Sequence, residues 1–278
     1  MAKLILNGEL LDADALSQPL LSRGFAFGFG VFETMKFLDK TPCFFSEHLG
    51  RLRRGLVGAG LDCELDETAL REQARLLFEA EGVDAGVFKI VITDSGKNPS
   101  LALFVRTRGV PTELAPSRLS QSKVVKASQA FTSRNKSLNY MESVLELEKA
   151  KATGFDECVF KNERNELTEC AVSNLFFVQD GVLSTPALDC GLLDGIVRRK
   201  VIELARQNGI EVKEGVFEEA DLLAASEVFL TSSGSGPRSV ASYQASSGTE
   251  ASYEVNWLPR LRESYLELER EEARSHRV

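Results

Sequence analysis

Histidine is scarce: the 278 residues include only His48 and His276, too few for a multi-histidine metal site or a repertoire of histidine-based triads. Cysteine is no better arranged for metal. Cys43, Cys63, Cys158, Cys170 and Cys190 lie far apart, with no C-x-x-C pair and an odd total, a pattern of reduced thiols and not of a disulfide framework or a zinc site. No stretch reaches the ~18 consecutive apolar residues of a membrane span. The opening MAKLILNGELL is broken by Asn7 and Glu9, so it does not read as a signal peptide. Basic charge is in deficit as well, with 33 Lys and Arg against 41 Asp and Glu for a net charge of −8. That disfavours nucleic acid and anionic membrane as partners, and an anionic ligand would need a local group of cations. A cytoplasmic enzyme or binding protein fits what remains.

The composition is that of a folded soluble chain, 43% hydrophobic and 27% charged, and its length predicts two domains or one large one. KLILNGELLDAD reads as a hairpin turning at Asn7-Gly8. RGFAFGFGVF interleaves glycine with phenylalanine, but its spacing is not G-x-G-x-x-G and no helix follows directly, which argues against a dinucleotide loop. VFETMKF alternates like a half-buried strand, joined through Asp39–Pro42 to another at CFF. A helix is expected from an N-cap at Ser46, with Arg51, Arg53 and Arg54 on it as a solvated face or with one arginine turned inward to a phosphate. A second helix covers Glu67–Glu81, and strands follow at VFKIVIT and LALFVRT. Prolines and polar residues from Pro111 to Pro116 mark an interdomain connection.

The second half opens with a strand at SKVVKAS and reaches KSLNY, in which Lys136 precedes the helical pattern MESVLELEKAKATG. A lysine at such a junction can form a Schiff base with a carbonyl compound if its neighbours keep some of it neutral. Strands at ECVF, LTEC and SNLFFVQ follow, and Asp180-Gly181 turns into VLSTP. Glu169 lies in LTEC, where an acid would ordinarily point to solvent. Asp194 is the expected N-cap of a helix that Gly209 ends, and the amides of Gly195, Ile196 and Val197 at its start form an anion site. EVFLTSSGSG ends a strand in hydroxyls and glycines that suit phosphate oxygens. The rest reads as a Ser/Gly-rich loop and a charged C-terminal helix.

Taken in order, RGFAFGFGVFET, HLGRL, KSLNY, GFDECVF, LTECAVSNLFFV, TPALDCGLLDGIVR and EVFLTSS resemble the fold-type IV pyridoxal-phosphate enzymes. These include branched-chain and D-amino-acid aminotransferases and 4-amino-4-deoxychorismate lyase. The resemblance implies a mixed α/β, two-domain chain: a small N-terminal α/β domain over 1–113, a connection and start of the second domain over 114–125, and a larger C-terminal pseudo-barrel domain over 126–278 that binds the cofactor.

Its implied cofactor is pyridoxal 5'-phosphate. Lys136 matches the lysine that holds it as a Schiff base and then shuttles the proton, and Glu169 the carboxylate facing the pyridine nitrogen. Arg51, the Ile196 and Val197 amides, and Ser233 with Ser232 beside it match the phosphate ligands. Tyr140 matches a tyrosine that in some members meets the phenolic oxygen. Departures stand at Ser22 and Phe29, where the family carries acids, and at Val197, where it carries a hydroxyl. The arginine-and-histidine carboxylate trap of typical D-amino-acid aminotransferases has no match in TDSGKNPSLA.

The implied activity is amino transfer between an amino acid and a 2-oxo acid. The alternatives are the lyase, which releases pyruvate and leaves 4-aminobenzoate, and a catalytically silent cofactor-binding protein. A homodimer is implied, without nucleic acid or membrane partners.

Overall fold

A computed structural model describes residues 2–15, 20–96, 98–110 and 114–276. Residues 111–113 of the expected interdomain connection lie outside the described residues. The chain divides into two compact units, one of Met1–Pro111, Asn135–Asn139 and Leu268–Val278, the other of Thr112–Arg134 and Tyr140–Glu267. Two short segments expected in the second domain, one of them carrying Lys136, thus group with the first.

In the first unit, β1 (Lys3–Leu6) and β2 (Glu9–Asp12) form the hairpin, with Asn7 and Gly8 both at positive φ as a two-residue turn requires. A short helix, α1 (Arg23–Phe27), was not expected; the Ser22 hydroxyl accepts from the Phe25 amide at its start. Then come β3 (Gly30–Leu38), β4 (Thr41–Pro42), α2 (Phe45–Ala59), α3 (Glu67–Glu81), β5 (Gly86–Asp94) and β6 (Pro99–Arg108). The sheet order is β2-β1-β6-β5-β3-β4, antiparallel throughout.

Three readings are corrected here. The strand expected at CFF is confined to Thr41–Pro42. Helix α2 is preceded by Phe44 in the left-handed region with no side-chain cap, while Ser46 Oγ instead donates to Glu67. And β3 is buried along most of its length, not half-buried. One face meets the helices, through Val31 against Gly55 and Phe37 stacked on Phe78. On the other, Lys36 Nζ pairs at 2.7 Å with Glu269 of the C-terminal helix.

The second unit runs β7 (Ser117–Lys126), α4 (Phe131–Arg134), α5 (Met141–Ala152), β8 (Glu157–Asn162), β9 (Leu167–Cys170), β10 (Asn174–Gln179), β11 (Val182–Pro186), α6 (Ile196–Gln207), β12 (Val212–Gly215), α7 (Glu219–Leu223), β13 (Glu227–Ser232), β14 (Gly236–Gln244) and β15 (Glu250–Ser252). The last helix, α8 (Leu258–Ser275), contributes to both units. The sheet order is β12-β11-β10-β13-β14-β7-β8-β9, with β15 on β14. It curls until β9 at one end touches β10 and β11 near the other, a half-barrel around Leu119, Val159, Leu175, Phe177, Leu230 and Tyr243.

Strand β15 takes up the end of the loop expected over Ala245–Ser252, and β14, which the sequence did not mark, precedes that loop. The α6 start is shifted by one residue: Gly195 is the N-cap, and Asp194 pairs with Arg199 at 2.8 Å. All five cysteines are free thiols; Cys63 is partly exposed and the other four are buried. No helix of the described residues is long and apolar enough to cross a membrane.

Candidate functional site

Lys136 is fixed by the backbone on either side of it. The Phe32 amide donates to the Lys136 carbonyl at 2.8 Å, the Leu138 amide donates to the Gly30 carbonyl at 2.9 Å, and Ser137 bridges Val31. Residues 136–138 therefore lie along the start of β3. A Cβ at Gly30 would fall 2.6 Å from Leu138 Cδ1 and 2.4 Å from the Ile92 carbonyl, so only glycine allows this approach. The Lys136 ammonium stands 4.6 Å from the centre of the Phe32 ring, an apolar support that still favours a cation.

On the opposite face of β3, Arg51 has turned inward, to a carboxylate that the sequence did not single out. Its Nε and Nη2 donate to the two oxygens of Glu33 at 2.7 Å each, and His48 Nδ1 lies 2.7 Å from Glu33 Oε2. All three side chains are buried. Burial alone would raise the Glu33 pKa, but Arg51 and His48 hold it well below the usual carboxylate range. His48 is pulled the other way: burial lowers its pKa, against Glu33, so it is neutral near pH 7 and donates Nδ1–H. Glu33 uses two of the five N–H donors of the Arg51 guanidinium and fixes its plane. Arg53 and Arg54, by contrast, are exposed.

In the second unit, Glu169 does not face open solvent. Its side chain is 12% exposed, and Lys126 Nζ lies 3.8 Å from its Oε1. Its Oε2 accepts from the Leu193 amide at 3.1 Å and from Asn174 Nδ2 at 3.2 Å. Asn174 also donates to the Leu193 carbonyl at 2.9 Å, and a Cβ on Gly195 would come within 2.0 Å of Asn174 Oδ1. One side chain thus joins Glu169 to the start of α6.

At that start, no acceptor among the described residues meets the Ile196 and Val197 amides, two of the donors that a helix leaves unsatisfied. Asn174 pairs across the sheet with Thr231, whose Oγ1 is buried with no partner. Ser232 and Ser233 come next, and Ser232 Oγ shares a 2.8 Å hydrogen bond with Ser235 Oγ. Tyr140 OH donates to the Ala171 carbonyl at 3.1 Å, in the turn between β9 and β10. In that same turn Ser173 Oγ donates to Glu157 Oε2 at 2.9 Å.

The class IV amino-transferase family model matches residues 30–243. The chain belongs to this family. It is 29% identical over 242 residues to a D-alanine aminotransferase of Listeria monocytogenes, covering 83% of each chain. It is 28% identical over 240 residues to an aminodeoxychorismate lyase of Bacillus subtilis, covering 82% of each. In structure it is similar to a branched-chain aminotransferase of Thermoproteus uzoniensis, with a TM-score of 0.87, 24% identity, and 95% and 93% of the two chains covered. Members of the family are enzymes that use pyridoxal phosphate.

The residues present fit that cofactor. Unpartnered amides and a buried orphan hydroxyl suit a phosphate's oxygens, a hydrogen-bonded carboxylate suits a ring nitrogen, and a lysine amine suits an aldehyde. Sequence reasoning missed Glu33, His48, Lys126 and Asn174. Glu33, His48 and Asn174 lie inside the stretches RGFAFGFGVFET, HLGRL and LTECAVSNLFFV, but spacing does not show that each acts by holding another residue. Among the described residues, no group of three or more His, Cys, Asp or Glu is placed to hold a metal.

Proposed function

We propose that this chain is a pyridoxal-phosphate aminotransferase that moves an amino group between an amino acid and a 2-oxo acid, working as a cytoplasmic homodimer. When bound, the cofactor supplies an electron sink for the charge left at a substrate carbon that loses a proton. Lys136 Nζ would hold it and would take and return the proton at the substrate's Cα. Glu169, steadied by Asn174 and the Leu193 amide, keeps a proton on the ring nitrogen. The Ile196 and Val197 amides, the Ser232 and Ser233 hydroxyls and Arg51 bind the phosphate, and Tyr140 serves the phenolic oxygen.

The observation that carries this reading is the seat of Glu169. A surface acid would be solvated, whereas this one is largely buried with a backbone amide, an asparagine and a lysine around it. The lyase remains the second reading, because the Bacillus subtilis relative matches as much of the chain as the D-alanine aminotransferase does.

A panel of L- and D-amino acids offered to the loaded protein tests the two. Conversion of the cofactor's aldehyde form to its amine form is the expected result, abolished in a folded Lys136→Ala protein. No conversion, with turnover of aminodeoxychorismate, makes the chain a lyase. Inertness toward both substrates leaves a silent binding protein.

A further inference from the structure

The ring that supports Lys136 supports a second amine. Lys89 Nζ lies 4.4 Å from the centre of Phe32, beside 4.6 Å for Lys136. Lys89 is on β5, where it pairs with Thr34 of β3 on one side and Phe104 of β6 on the other. Side chains alternate along strands, so Phe32, Thr34, Lys36, Lys89 and Phe104 share one face of the sheet. Glu33 and its partners occupy the other.

The two lysines contributed by this sheet face are treated differently. Lys36 is neutralised by Glu269 at 2.7 Å. Lys89 is also partly buried, yet no carboxylate among the described residues pairs with it. Its charged neighbour is instead another cation: burial first, then Arg106, pulls its pKa below the ordinary lysine value. Directly across the strand pair, Thr34 Oγ1 is buried with no hydrogen-bond partner. A shielded ammonium and a hydroxyl, both without an acceptor and adjacent on one face, lack the same thing, an anion with two oxygens.

We propose that Lys89, with the Thr34 hydroxyl, receives the carboxylate of the substrate and so presents the neighbouring carbon to Lys136. The proposal rests on the reading of Lys136 given above. The ligand class is a carboxylate attached to the reacting carbon, as in a 2-amino or 2-oxo acid. Both amines lie against the same ring, so a carboxylate held at one brings its attached carbon near the other. Phe32 and Phe104 flank the site with apolar surface, which strengthens a charge-assisted hydrogen bond by excluding water.

The test compares wild type with Lys89→Met, Lys89→Arg and Thr34→Val in two measurements: calorimetric titration with propionate, and steady-state kinetics on an accepted substrate. Lys89→Met is expected to weaken propionate binding and raise KM by about tenfold or more, with kcat falling by a smaller factor. Lys89→Arg restores most of both, and Thr34→Val shows a lesser loss in the same direction. Should Lys89→Met fail to fold, Lys89→Gln takes its place. Propionate affinity and KM equal to wild type in a folded neutral variant overturn the proposal. If wild type turns over nothing, the proposed reaction fails, and the titration alone decides the carboxylate site. Propionate binding lost in the neutral variant then upholds it, and binding unchanged there, or absent from wild type, overturns it.

Discussion

Glu157 is a carboxylate in the wrong place for one. It begins β8, is 4% exposed, and has one oxygen on Ser173 while Oε1 is buried without a partner. Burial moves its pKa from 4.5 up to about 7, against the Ser173 hydrogen bond. A raised acid is most costly when ionised, so the stability present below the unfolded value is lost as pH rises toward the folded value. Glu157→Gln should therefore match wild type near pH 4 and exceed it by roughly 3 kcal/mol above pH 8. Urea unfolding at several pH values checks this, and a constant difference across the range would disprove it. Residues of this kind were not legible in the sequence. Glu33, Glu157 and Asn174 lie inside stretches that carry the family resemblance, yet they matter through what packs on them, which alternation and spacing do not record.

Helices and strands were legible where local pattern decides, and less so where a neighbour does. Helix α3 keeps its expected bounds because Asp66 accepts from the Thr68 and Ala69 amides at one end and Gly82 turns left-handed at the other. The starts of α2 and α6 moved because Ser46 and Asp194 are engaged by Glu67 and Arg199, which no cap rule foresees. Helix α8 read as a charged structural helix; its Glu269 forms a buried ion pair with Lys36, each side chain 3% exposed. Glu269→Ala leaves a buried ammonium without its partner and should cost about 3–5 kcal/mol. Lys36→Met combined with Glu269→Leu should recover most of that. Denaturant midpoints for the single and double variants decide it, and a Glu269→Ala loss below about 1 kcal/mol would show the pair to be solvated.

For the molecule as a whole, length left two domains or one large one open, and the chain divides into two compact units. The grouping of Asn135–Asn139 with the first unit was not, since it depends on backbone bonds to β3 more than a hundred residues away in the chain. The first unit also bares large apolar side chains: Leu21 is 99% exposed, Phe27 70%, Leu20 66% and Phe25 60%. Such a group is costly in water unless something covers it, and a second copy of the chain is the proposed cover. Sedimentation should find a dimer whose activity falls on dilution, and Phe25→Ser with Phe27→Ser should favour the monomer. A fully active monomer at assay concentration would refute it.

The placement of the thiols turns the chain into its own recorder of motion. Cys43 is sealed in the first unit and Cys158, Cys170 and Cys190 in the second, with Cys63 partly exposed. An alkylating reagent would mark Cys63 at once and each of the others only when its surroundings open. The order in which peptides acquire the label therefore ranks the two units by how often each breathes, with no probe added and no residue changed.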